Sequence, residues 1–188
     1  MENTTDPEIV ITLPGFDKYG VEAQIDSEEG ITSIRDAVKE IISSSQKIIR
    51  ICSPFMDTKG FFEINAEISS KIMRGTKVKI LSRELEETNS RRRELTKIYD
   101  ELMKVGRKNW EIKDYHYEDD AGRLTSGIHA KIITCDEKLG YVGSGEIRKN
   151  SFKNNFEMGL LIRDKKQIRQ INKLFDFMFE ISRPFEIK

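Results

Sequence analysis

"GIHAKIITCDEKLGYVGSGE", residues 127 to 146, decides how this chain is read. Its opening, "GIHAKIITC", has the alternation of a strand, and "LGYVGS" follows as a second strand. Successive strand side chains point to opposite faces, so His129 and Lys131 share a face about 7 Å apart, with Ile128, Ala130 and Ile132 on the other. Burying such a basic pair is costly unless it is satisfied. Taken alone, the pair fits two accounts. His129 is a satisfied core residue and Lys131 snorkels to solvent, or the two form a phosphate site. In that second account lysine neutralises the non-bridging oxygens, and an imidazole titrating near neutral pH is nucleophile or acid.

Working outward, helical and strand periodicities alternate. Ile31, Ile34, Val38, Ile41 and Ile42 recur at helical spacing, and "KIIRICSPF" is a buried strand stopped by Pro54. Phe61, Ile64, Ile68 and Ile72 mark a second helix ended by Gly75, and "TKVKILS" alternates as a strand. Leu95, Ile98, Tyr99, Leu102 and Met103 mark a third helix closed by Gly106, and "NWEIKDYHY" is a weaker outer strand. After the opening stretch come a strand "EMGLLIR" and a final amphipathic helix carrying Ile168, Ile171, Leu174, Phe175 and Met178. Strands separated by helices predict an α/β fold, a mixed and largely parallel sheet with helices on both faces. Residues 1–30 are less regular and are read as an N-terminal arm or extra strands, with residues 31–188 as one domain.

Thirty-two basic and 32 acidic side chains cancel, so any polyanion site must be a local patch. The apolar runs are far short of a spanning helix. "MENTTDPEIVITLPGF" lacks an apolar signal core, so the cytoplasm is the expected location. Cys52 and Cys135 sit in apolar strand-like runs with no metal-ligand spacing, so they are read as small, reduced core residues.

His129, Lys131, Asp136, Gly143 and Ser144 fit H-x-K-(x4)-D-(x6)-G-S. That pattern resembles the signature of the phospholipase D superfamily, which includes small nucleases and phosphatidyl transferases. "KNNFEMGLLI" resembles the family's next strand entry, with Asn155 and Glu157 at its polar positions, and "IRICSPFMD" resembles its early strand and turn. The likeness spans about residues 30 to 181. It implies two-step phosphodiester cleavage with neither metal nor cofactor. His129 would attack phosphorus and form a phosphohistidine. Lys131 and Ser144 would hold the phosphoryl oxygens, and Glu157 would accept from the second ring nitrogen of His129. Asp136 and Gly143 would be structural residues of the motif, with Asn155 supporting. Only one copy of the motif is present, so the resemblance also implies a homodimer with two His129 side chains facing across a twofold axis.

One position departs from the family pattern. Two residues beyond the serine the family usually has asparagine, a donor to phosphate; here it is Glu146, which would repel an anion. A direct replacement would face the pocket near Lys131. Otherwise Glu146 turns away to pair with Arg148, or the substrate differs, or catalysis is weakened, and Asn150 or Asn154 is the alternative donor.

The basic clusters Arg91–Arg93, with Lys104, Arg107 and Lys108 beyond, and Arg148, Lys149 and Lys153 would bind a nucleic-acid backbone if they converge near the site. The other account is solvated faces balanced by Glu84, Glu86, Glu87 and Glu94. A cytoplasmic nuclease acting on nucleic acid, without integral membrane association, is the first reading. A non-catalytic nucleic-acid-binding or dimerisation module of a defence, repair or regulatory system is the second, and a phospholipid phosphodiesterase or phosphatidyl transferase the third. His116, in "DYHYEDD", is read as part of an acidic, solvated loop; a metal site with Asp114, Asp119 or Asp120 is the alternative.

Overall fold

The computed structural model describes residues 6–13, 31–83, 90–185 and 187. Glu84, Glu86 and Glu87, the acids expected to balance Arg91–Arg93, lie outside these residues, as does most of the N-terminal segment. Strand β1 (Glu8–Thr12) and the short β2 (Thr32–Ser33) lead into helix α1 (Ile34–Ser44) and β3 (Ile48–Cys52). Helices α2 (Thr58–Phe62) and α3 (Asn65–Met73), β4 (Lys77–Ser82), α4 (Ser90–Lys104) and β5 (Trp110–Asp114) follow. Next come β6 (His116–Glu118), β7 (Leu124–Gly127), β8 (Ile132–Cys135), β9 (Leu139–Gly143) and the short helix α5 (Lys149–Lys153). The chain closes with β10 (Glu157–Ile162), α6 (Lys165–Ile181) and β11 (Arg183–Pro184).

Nine strands form one sheet in the order β11-β5-β4-β3-β8-β9-β10-β1-β2, while β6 and β7 make a separate hairpin. The sheet is mixed, with helices on both faces. Its parallel part is narrower than the helix–strand alternation suggested: β3, β4 and β5 run parallel, as do β1 and β2. The pairs β3–β8, β8–β9, β9–β10, β10–β1 and β5–β11 are antiparallel. The reason is local, because β8 and β9 are joined by a tight turn and β10 returns beside β9 without a full crossover helix.

The period-two pattern sorts side chains between the faces. Ile49, Ile51, Val78, Ile80, Ile133 and Cys135 point to one face, where Val38, Ile41, Ile68, Leu95 and Ile98 cover them. Cys52 and Leu81 point to the other and pack on Phe175 and Phe179 of α6. Each such buried aliphatic or aromatic group contributes about 1.5–3 kcal/mol by leaving water. Polar strand residues on the second face are satisfied by the same helix: Asp176 accepts from Arg50 at 2.7 Å and from Lys79 at 3.0 Å, and Thr134 donates to Asn172 at 2.7 Å. Cys52 and Cys135 are buried free thiols, as the sequence indicated.

Two expectations need correction. The second helix is two, interrupted at Glu63 and Ile64, where Ile64 leaves helical geometry (φ −126°, ψ 0°). "GIHAKIITC" is likewise not one strand. Gly127 pairs with His116 in the hairpin, whereas Ile132 pairs with Cys52 in the main sheet, so residues 128–131 cross between two ladders.

Asp136 ties the far end of β8 down. It sits at φ 52°, in the left-handed region that Asp and Asn tolerate better than most residues. Its carboxylate accepts from the backbone N–H groups of Gln46 (2.8 Å), Lys47 (2.9 Å) and Ile48 (2.9 Å), just ahead of and at the start of β3. Its own N–H donates to Ile48 O at 2.9 Å, and its carbonyl accepts from Asn172 of α6 at 2.5 Å. Asp136→Ala removes the common acceptor of three amides and should cost about 2–4 kcal/mol, with Asp136→Asn costing about half as much. Urea unfolding measures this; a loss below about 1 kcal/mol for the alanine variant would show that the clamp does not hold the register.

Candidate active site

The site lies where the chain crosses into β8, beside the last residue of β9 and the first of β10. Backbone bonds pin the crossing: Ile128 N–H donates to Tyr115 O (3.3 Å), Gly143 N–H to Lys131 O (3.3 Å), and the Cys52 thiol to Ala130 O (3.2 Å). His129 is therefore exposed at the mouth of a central strand rather than inward within it. It still shares a side with Lys131. The lysine Nζ donates to His129 O at 2.8 Å and lies 3.4 Å and 3.5 Å from the two ring nitrogens, while its own side chain is only 12% exposed.

Gly143 and Gly159 face each other across β9 and β10 because the Tyr141 ring lies over them. A methyl at Gly143 would come within 2.6 Å of Gly159 Cα and 2.7 Å of Met158 O, and one at Gly159 would strike the ring. Burial pushes the Tyr141 phenol up to about 12, so it stays a neutral hydroxyl, and its oxygen accepts from Gly145 N–H at 2.8 Å. That bond holds the turn carrying Ser144 and Glu146.

Glu157, at the start of β10, is a buried hub. It accepts from Ser144 Oγ (2.5 Å), Ser151 Oγ (3.1 Å) and Asn155 Nδ2 (3.0 Å), while Ser144 Oγ in turn accepts from Met158 N–H (3.1 Å). The expected bond between Glu157 and the His129 ring is not among its hydrogen bonds with the described residues. Three other donors occupy this carboxylate, and the imidazole lies against Lys131. Ser151 was not foreseen. It sits on the five-residue α5, too short to show a periodicity that would assign its face.

Glu146 turns inward. Its Oε1 is 3.7 Å from Lys131 Nζ and its Oε2 is 3.8 Å from Arg148 Nη1, so it both faces the site and pairs with Arg148. Burial raises its pKa above the ordinary carboxylate value, against the pull of Lys131 and Arg148. Asn150 and Lys153 are held elsewhere: Asn150 Oδ1 accepts from Asn154 (2.8 Å), and Lys153 Nζ lies 2.5 Å from Glu63. Asp136 stands at the opposite end of β8.

His116 also differs from expectation. It is 2% exposed, its Nδ1 lies 3.0 Å from Asp114 Oδ1, and Arg183 Nη2 donates to its carbonyl at 3.0 Å. Arg183, 67 positions away in sequence, covers what looked like a solvated loop. Among the described residues no group of three or more His, Cys, Asp or Glu side chains is placed to hold a metal ion.

The His-x-Lys crossing, the Gly-Ser turn and the buried glutamate all lie within a domain of the phospholipase D superfamily. Residues 38–179 match the family model described as cardiolipin synthase, PLD-like domain, and the chain belongs to that family. It is 25% identical over 144 residues to the probable cardiolipin synthase YwiE of Bacillus subtilis (strain 168), covering 77% of this chain and 26% of that protein. The chain thus spans about a quarter of the length of this curated relative. Its fold is similar to NucT from Helicobacter pylori, with a TM-score of 0.67 and 20% identity, covering 96% of this chain and 100% of that one. It is also similar to Nuc, a phospholipase D family member from Salmonella typhimurium, with a TM-score of 0.65 and 18% identity over 97% of this chain and 100% of that one. Among the described residues no helix is long and apolar enough to cross a membrane.

The packing of Tyr141 on the two glycines makes a specific prediction. Gly159→Ala should cost about 1–3 kcal/mol by overpacking. Displacing the phenol should also release the Gly145 amide, seen as faster hydrogen exchange at that residue. An unchanged exchange rate would show that Tyr141 does not hold the turn.

Proposed function

We propose that this chain is a nuclease: a homodimeric phosphodiesterase that cleaves nucleic-acid diesters through a phosphohistidine on His129. What supports a nucleic-acid substrate is the convergence of basic residues beside the site. Arg91, Arg93 and Lys97 of α4 and Arg148 line one cleft of about 570 Å³ together with Phe55. Arg148 connects the cleft to Lys131 through Glu146. The acids in the cleft are already engaged: Asp57 accepts from Gly60 N–H, and Glu94 is drawn down to about 2 by donors from Lys97 and Thr58. A backbone phosphate entering the cleft would release counterions from the basic side chains.

In the first step a lone pair on a neutral His129 ring nitrogen forms the N–P bond as the P–O bond to the leaving oxygen breaks. The leaving oxygen takes a proton from His129 of the partner subunit, acting as general acid. Water then attacks phosphorus, gives its proton to that second imidazole, and the N–P bond breaks to leave a phosphomonoester. Lys131 stabilises charge on the non-bridging oxygens, and the Ser144 hydroxyl joins it by turning its one proton from Glu157 to the substrate. Glu157 is a positioning residue that fixes Ser144.

The description of the family and the Bacillus relative favour a second reading, a lipid diester, and the same assay separates the two. DNA, RNA and phosphatidylglycerol vesicles are incubated with the protein in EDTA, with His129→Ala as control. The proposal expects cleavage of nucleic acid, none of lipid, and no turnover by the variant. Lys131→Ala should lose about 100-fold or more in kcat, the scale of removing one oxyanion donor. Light scattering should give a dimer at micromolar concentration. A monomer, or activity that appears only with added Mg²⁺, would overturn the mechanism; headgroup exchange on vesicles would overturn the substrate.

A further inference from the structure

Glu146 places a negative charge inside a site that otherwise gathers cations. It is 7% exposed, and its Oε1 is buried with no hydrogen-bond partner among the described residues. Its separations from Lys131 (3.7 Å) and Arg148 (3.8 Å) exceed hydrogen-bonding distance, so it acts on them through its field. Nor is it placed to swing outward. Gly145 N–H is held by Tyr141, Ile147 N–H donates to Ser53 Oγ at 3.1 Å, Asp57 N–H donates to Ile147 O at 3.1 Å, and Lys149 N–H donates to Asp57 at 3.1 Å.

A fixed carboxylate beside the phosphate-binding lysine weakens every anion, and the penalty grows with the anion's charge. A phosphodiester carries one negative charge, whereas a phosphomonoester carries close to two above its second pKa of about 6. At roughly 7 Å and an effective dielectric of about 20, each added unit of charge meets about 2 kcal/mol of repulsion, some 30-fold in affinity. We propose that Glu146 is a specificity-determining residue, selecting singly charged diesters and rejecting doubly charged monoesters. This rests on the reading of His129 and Lys131 as a phosphodiester site. The second step leaves a monoester beside His129, so the same charge speeds departure of the product.

Two probes carry the test: sulfate as the dianion and dimethyl phosphate as the monoanion, at pH 8. Binding is followed by NMR at the His129 ring, which is readily assigned because the chain has only two histidines. Wild-type protein should bind dimethyl phosphate at least as tightly as sulfate. Glu146→Gln and Glu146→Asn should both tighten sulfate at least tenfold more than dimethyl phosphate. Equal gains for the two anions, or a wild-type preference for sulfate, would overturn charge selection and leave the phosphodiester site standing. Failure of either anion to bind any form would overturn the site reading and this inference with it. The wild-type comparison decides the matter even if neither variant folds.

Discussion

The placement of the site depends on one carboxylate that lies far from it. Asp136 collects three backbone amides at the start of β3 and tethers α6 through its carbonyl, so the β3–β8 pair is locked at one end. With Ile49 opposite Cys135, Cys52 must lie opposite Ile132, and the crossing that bears His129 and Lys131 emerges at the other end. A one-residue slip would turn every β8 side chain to the wrong face. It would take Ile133 and Cys135 from the core and lose the Thr134–Asn172 bond. The sheet's stability and the position of the imidazole therefore rest on the same register.

At the other end, the buried Glu157 carboxylate is met by assigned donors. Glu157 is surrounded by Ser144, Ser151 and Asn155, and the Ser144 oxygen also receives Met158 N–H. Satisfied networks of this kind are rigid, because losing one member leaves another buried group unpaired. Two glycines leave room for Tyr141, whose hydroxyl fixes the next turn. Glu146 differs, with an oxygen that has no hydrogen-bond donor among the described residues, and it lies where the proposed chemistry needs charge to discriminate.

Much of this was legible in the sequence. Apolar periodicity located the helices around Val38, Ile68, Leu95 and Phe175, and the alternation in "KIIRIC" and "TKVKILS" gave the two strands beside the site. The His-x-K-x4-D spacing picked out residues that the fold brings to the two ends of β8. Less visible were features set by distant partners. Residues 128–131 alternate as a strand would, yet they belong to neither ladder, because where a chain leaves one sheet for another depends on its partners. His116 is buried by Arg183, which nothing in its own neighbourhood signals. Ser151 reaches Glu157 from a helix too short to show a face. Within one chain the donors to the Glu157 carboxylate include Ser144, Ser151 and Asn155, two of them serines that the resemblance did not link to it.

The central claim is that phosphorus is transferred to His129. A single turnover with a diester labelled at phosphorus, quenched and peptide-mapped under conditions that preserve phosphohistidine, tests it most directly. The account predicts label on the peptide containing His129 and none in the His129→Ala protein. Label on another residue, or complete cleavage with no protein-bound phosphorus at any time during the turnover, would contradict it.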